Sequence, residues 1–131
     1  MNTVFEASVR YQGNAAILDL VGQVNALAQQ SLEAAADDAL AAEPRRIVLN
    51  FSAVTFINST GIAMVVGLMG RARAAHVKVE VFGLSDHFRE IFEITRLIDF
   101  MTIHHDEEAA LGPIPNSSPT TNSSPTGGAE Q

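Results

Sequence analysis

Apolar positions along this chain switch repeatedly between two spacings, and each switch marks an element. Val4, Phe5, Ala7 and Val9 are interleaved with Glu6, Ser8 and Arg10, which predicts a half-buried strand. Gln12-Gly13-Asn14 predicts a tight turn, because Gly and Asn tolerate positive φ. Ala15 to Val21 predicts a second strand, antiparallel to the first and ended by Gly22. Asn25 is a candidate cap for the next element. From Leu27 to Ala42 good helix formers dominate, and Leu32, Ala35, Ala36, Ala39 and Leu40 share one face. Glu43-Pro44 stops that helix. Ile47, Val48 and Leu49, inside a run from Arg46 to Phe51, are continuously apolar, as in a strand buried on both faces of a parallel sheet.

A connection over 52–58 leads to a helix predicted for Ser59 to Ala75, with Ile62, Val65, Val66 and Met69 as its buried stripe. Gly67 and Gly70 within it each cost about 1 kcal/mol relative to Ala, which predicts close packing there, against the sheet or a partner. Val77 to Phe82 alternates and predicts a strand. Ser85 is placed to cap a helix over 86–95, with Phe88, Ile91, Phe92 and Thr95 inward. Phe100 to His104 predicts a last strand, and 106–111 a short final helix. The order defines an α/β domain over 1–111: a mixed sheet with an antiparallel N-terminal hairpin, the remaining strands parallel, and about four helices. From Gly112 the character changes. Asn-Ser-Ser-Pro-Thr occurs twice in an apolar-poor segment, so 112–131 is predicted to be a disordered tail.

Composition narrows the partners. The 131 residues are 47% hydrophobic, enough for one core, and the net charge of −7 makes nucleic acid and anionic membrane surfaces poor partners. The absence of cysteine removes disulfide and thiolate chemistry. Ile62 to Met69, the most apolar window, is too short to insert in a membrane. The N-terminal MNTVFEASV lacks a secretory pattern, so the expected location is cytoplasmic.

Candidate chemistry concentrates at Asn58-Ser59-Thr60-Gly61, where a buried strand hands over to a helix. These residue types fit a helix cap. Capping is the commoner reason for such residues, and they also fit a phosphoacceptor, because the free N–H groups and positive dipole of a helix start stabilise an added phosphate. No Gly-x-Ser-x-Gly elbow and no nucleophile–base or acid–base pair is legible, so neither an enzyme nor a cofactor is expected. His104-His105-Asp106-Glu107-Glu108 looks like a metal cluster, but adjacent strand residues point to opposite faces, which favours a solvated strand end and no metal. Gly61, Gly67 and Gly70 do not form a phosphate-cradling loop. Arg45, Arg46, Arg71 and Arg73 read as solvated side chains or partner contacts.

The joint pattern of these segments resembles the STAS domain family, and most closely its stand-alone bacterial anti-sigma factor antagonists. The likeness runs from Thr3 to Leu111. It is carried by Ile47-Val48-Leu49, Asn50-Phe51-Ser52, Val54, Phe56-Ile57 and Asn58-Ser59-Thr60-Gly61, then by Val79 to Leu84, the corner Glu93 to Leu97, and Glu107 to Leu111. The resemblance implies a regulatory switch. An unphosphorylated antagonist binds an anti-sigma factor that is also a serine kinase and frees a sigma factor; phosphorylation at Ser59 releases the kinase, and a metal-dependent phosphatase restores binding. It implies a partner surface at Asn25, Asn50, Asn58, Ser59, Thr60 and Gly61. The sequence departs from the family by carrying Asn25, Asn50 and Asn58 where Asp is frequent and Arg96 where Gly is usual, which predicts a poor phosphoacceptor that binds persistently. The rival implications are an adaptor subunit of a lipid-transport ATPase complex and a scaffold domain of a stress-signalling assembly.

Overall fold

The computed structural model describes residues 5–111; the predicted tail and the start of the first predicted strand lie outside them. Strands Phe5–Gln12 (β1), Ala15–Val24 (β2), Arg46–Ile57 (β3), Lys78–Phe82 (β4) and Thr102–His104 (β5) form one sheet in the order β1-β2-β3-β4-β5. β1 and β2 are antiparallel through a turn at Gly13 and Asn14, and every later pairing is parallel. The helices are Gln29–Ala41 (α1), Ser59–Ala74 (α2), Asp86–Ile94 (α3) and Glu107–Leu111 (α4). Single 3-10 turns at Ala26–Ala28 and Leu97–Asp99 precede α1 and β5.

Alternation within the strands divides the core between two faces. Ala16, Leu18, Leu20, Ile47, Leu49, Phe51, Val79 and Val81 pack under α1, α2 and α3. Phe51 sits at the centre of that layer, edge-on to Phe92 at 5.5 Å and to Phe88 at 6.4 Å, the geometry that aromatic quadrupoles favour. On the other face Ala15, Ile17, Val48 and Phe82 form a smaller cluster closed by Ala110 and Leu111 of α4. Val48 is therefore as buried as its neighbours Ile47 and Leu49, as the continuous apolar run predicted.

Polar groups pin α4 to that second face. Arg46, at the first position of β3, donates from Nη1 to the Ala110 carbonyl at 2.8 Å and from Nη2 to the Leu111 carbonyl at 2.6 Å, occupying carbonyls that a helix C-terminus leaves free. Its guanidinium also faces Glu80, a buried carboxylate, at 3.4 Å. His104 Nε2 completes the group at 2.8 Å from Glu80 Oε1. Arg46 and His104 are thus structural rather than solvated, while His105 is exposed as expected.

Other departures from the pattern have local causes. Gly22 does not end β2; at φ +103° it lets the strand pass through register shifts and continue to Val24. Residues 52–57 are strand rather than connection, because Val54 and Ile57 still find β2 partners. The buried stripe of α2 is Gly61, Val65, Leu68, Met69 and Ala72, and Val66 is exposed. Gly67 and Gly70 touch no neighbour closely: a Cβ at either would meet nothing within 4 Å. Thr95 faces solvent but turns its hydroxyl back onto the Ile91 carbonyl, closing α3.

Arg96 follows α3 at φ +66° in the left-handed region, where a Cβ is strained. Its exposed ion pair with Asp99 offsets little of that strain. Arg96→Gly should raise stability by up to about 1 kcal/mol, read as a higher urea midpoint at an unchanged m-value.

Candidate functional site

The mouth of α2 stands on an overhang. β4 pairs with β3 only along Arg46–Asn50, whereas β2 stays paired with β3 out to Val24 and Ile57. The last seven residues of β3, 51–57, therefore project past β4 with β2 alone as lateral support. At the tip two asparagines each cap a helical turn. Asn25 accepts from the Leu27 N–H at 3.0 Å and starts the 3-10 turn. Asn58 accepts from the Gly61 N–H at 2.9 Å and starts α2. The strand ends are stitched together by Asn58 N–H donating to the Val24 carbonyl at 3.3 Å.

Gly61 lets the helix sit this close. A Cβ there would lie 2.1 Å from the Val24 carbonyl oxygen and 2.9 Å from Ile57 Cγ1, and the Val24 carbonyl belongs to backbone that cannot yield. Ser59 and Thr60 are exposed, and among the described residues neither hydroxyl makes a hydrogen bond. Two large apolar side chains close in sequence to the capping asparagines are also exposed. Leu27 is 76% exposed beside Asn25, and Phe56 is 47% exposed two residues before Asn58. Periodicity alone puts Leu27 in a helix and Phe56 in a connection, and so marks neither as part of the site. The signal for Phe56 lies in the spacing of its buried neighbours Val54 and Ile57, which leaves it outside.

The structure unites Asn25, Asn58, Ser59, Thr60 and Gly61 but not Asn50. That residue lies eight positions upstream of Asn58, roughly 25 Å along an extended strand. Asn50 bridges β2 and β3: its Nδ2 donates to Asp19 Oδ1 at 2.7 Å, and its Oδ1 accepts from the Ser52 N–H at 3.0 Å and the Ser52 hydroxyl at 2.6 Å. Asp19 is held on its other side by Arg10, whose Nη2 donates to Oδ1 at 2.9 Å, and Arg10 reaches on to Glu107 at 2.7 Å. The Arg10 hydrogen bonds hold the Asp19 carboxyl below its usual range; partial burial opposes this and the Asn50 bond adds to it. Its stabilising effect is present above about pH 4, the ordinary carboxylate value, and fades as pH falls through the lower native one.

No group of three or more His, Cys, Asp or Glu side chains suited to a metal occurs among the described residues, and none of their helices is long and apolar enough to cross a membrane. Arg71 is paired with Asp37 on α1.

A single mixed sheet with three helices on one face and one on the other carries a capped, hydroxyl-bearing helix start at its edge. The model of the STAS domain family matches residues 6–110, so the chain belongs to that family. The candidate anti-sigma factor antagonist BtrV of Bordetella bronchiseptica is 29% identical over 91 residues, 70% of this chain and 78% of that protein. The crystal structure of an anti-sigma factor antagonist from Mycobacterium paratuberculosis superposes with a TM-score of 0.72 at 19% identity, covering 82% of this chain and 91% of that one. The Bacillus cell fate determinant SpoIIAA in its phosphorylated form gives 0.62 at 22%, covering 79% and 96%. At these identities the two structures speak for the fold.

Two substitutions test the geometry. Asn50→Asp replaces an amide donor with a second carboxylate against Asp19 and should destabilise by about 1–3 kcal/mol at pH 7. The loss should shrink toward pH 4, where the introduced carboxyl becomes protonated and can donate again, and paired denaturant curves at the two pH values measure it. Gly61→Ala should destabilise by a similar amount, about 1–3 kcal/mol, and broaden the amide resonances of Val24 and Ile57; an unshifted unfolding midpoint would show that the helix start moves freely.

Proposed function

We propose that this chain is an anti-sigma factor antagonist that binds an anti-sigma factor with serine kinase activity and is regulated by phosphate at Ser59. The observation that carries the proposal is the unpartnered, exposed Ser59 hydroxyl at the overhanging start of α2, where Leu27 and Phe56, each two residues from a capping asparagine, are also exposed. An apolar anchor with polar neighbours is what a protein interface needs at its centre, and exposed Leu27 and Phe56 offer the apolar part, with Asn25, Asn58 and Thr60 the polar part. BtrV, as a candidate antagonist at 29% identity, supports the antagonist part of this reading by family membership.

Phosphate would act as a charge switch. It brings about −1.5 to −2 at pH 7 and a hydration shell to a surface that otherwise packs dry. The amides of Ser59 and Thr60 are not used inside α2, so the helix start receives the phosphate favourably within the free protein. Both effects drive the same direction: modification stabilises the free antagonist and destabilises the complex. Asn58 adds no negative charge beside the phosphate, so the product gains from the dipole without repulsion. The same neutrality removes a charge a kinase could read, and slow phosphorylation with persistent binding follows. A serine phosphatase that uses a metal would reset the switch. No catalytic step is assigned to the chain itself.

Capture of an anti-sigma factor kinase by the full chain tests the reading. Wild type and Ser59→Ala should bind alike, and Ser59→Asp should bind at least tenfold more weakly, about 1.4 kcal/mol or more. Incubation with the kinase and ATP, followed by intact mass, should add one phosphate slowly and none to Ser59→Ala. Equal capture of all three forms would remove Ser59 from the interface.

A further inference from the structure

At the far end of α2 from Ser59, a groove of about 750 Å³ runs between the C-terminal half of the helix and the segment leading into β5. Its distance from the switch is roughly 16 Å of helix, about eleven residues at 1.5 Å each. Met69, Val77, Val79 and Met101 are themselves buried and form an apolar floor; Val66 and Phe100, 47% and 61% exposed, form the lips. Gly70 opens onto it, and a Cβ there would meet nothing within 4 Å. A glycine inside a helix costs about 1 kcal/mol relative to Ala. Packing does not require this one, since no neighbour approaches it, and its effect is to keep the groove open.

The rim is cationic on an acidic protein. Arg10, Arg46, Arg71, Arg89 and Arg96 all have carboxylate partners. Among the described residues this leaves Arg45, Arg73 and Lys78 without one, and Arg73 and Lys78 both line the groove together with His76. Asp99 is the one carboxylate on the lining, and Arg96 Nε neutralises it at 2.8 Å. The carbonyls of Arg71, Ala72 and Arg73 in the last turn of α2 accept from the N–H groups of Ala75, His76 and Val77.

We infer that this groove is a binding site for a small amphipathic anion, an acyl or aryl carboxylate whose apolar body lies on the Met69–Met101 floor and whose head group meets Arg73 and Lys78. The volume falls within the ~300–1,000 Å³ of small-molecule sites, and an apolar lining with a few convergent charges is their usual chemistry. A neutral apolar ligand would leave the two free cations unused. A cationic one would meet like charge from both. The inference stands apart from the partner surface at Ser59, and either can fail alone.

Titration of the uniformly 15N-labelled full chain with decanoate below its micellar concentration tests it. Saturable shifts are expected at the amides of Val66, Gly70 and Phe100–Thr102. Decyltrimethylammonium, with the same chain and opposite charge, should bind at least roughly tenfold more weakly. The double variant Arg73→Glu/Lys78→Glu should lose a similar factor while its exposed positions leave the thermal midpoint unchanged. Gly70→Leu should fill the groove and abolish binding with its circular dichroism intact. Equal binding of the two amphiphiles, shifts centred elsewhere, or decanoate affinity unmoved by the double variant would each overturn the assignment.

Discussion

The unequal length of neighbouring strands is the constraint from which the rest follows. β3 has twelve residues and β4 five, so only the first part of β3 has lateral support on both edges. That part must be apolar on both faces, and Ile47, Val48 and Leu49 are completely buried. The remainder needs apolar residues only where it meets the helices, at Phe51, Val54 and Ile57, and is free to expose Thr55 and Phe56. Strand length thus converts a central core element into a platform at the molecule's edge. Asn58 then closes the platform by bonding to the end of β2 and to its own helix at the same time.

Much of this is legible in the chain because period and capping chemistry are local. The two-sided burial of β3 follows from three consecutive apolar residues, and the helix start from Asn58-Ser59-Thr60-Gly61. Asn25 and Ser85 cap as their residue types predict. What stays hidden depends on contacts far apart in sequence. Arg46 and Glu80 read as ordinary charges because the carbonyls of Ala110 and Leu111, more than sixty residues from Arg46, are invisible to any window. Gly22 reads as a strand end, since a bulge and a terminus carry the same residue. Gly67 and Gly70 read as packing sites, whereas the surrounding space is open.

Asn50 shows why a shared motif need not carry a shared role. An ionised aspartate at this position could not donate to Asp19 and would set a second carboxylate against it. The amide instead supplies a donor to one strand and an acceptor to the other, with each polar group satisfied. The asparagine here answers to the sheet, while those at positions 25 and 58 answer to helix starts on the exposed tip. Three similar departures from a family pattern therefore have two separate physical causes.

The attachment of α4 by Arg46 has a consequence for where this domain can be divided. The five-residue helix is too short to persist by itself in water, yet its final two carbonyls accept from the two terminal nitrogens of a guanidinium that also faces a buried carboxylate. Cutting the chain after β5 would remove the two carbonyl acceptors of Arg46 and uncover Ile17, Val48 and Phe82 at once. Residues through Leu111 therefore share in the packing of the sheet's second face, and a fusion or protease site placed before Glu107 would sever that hold.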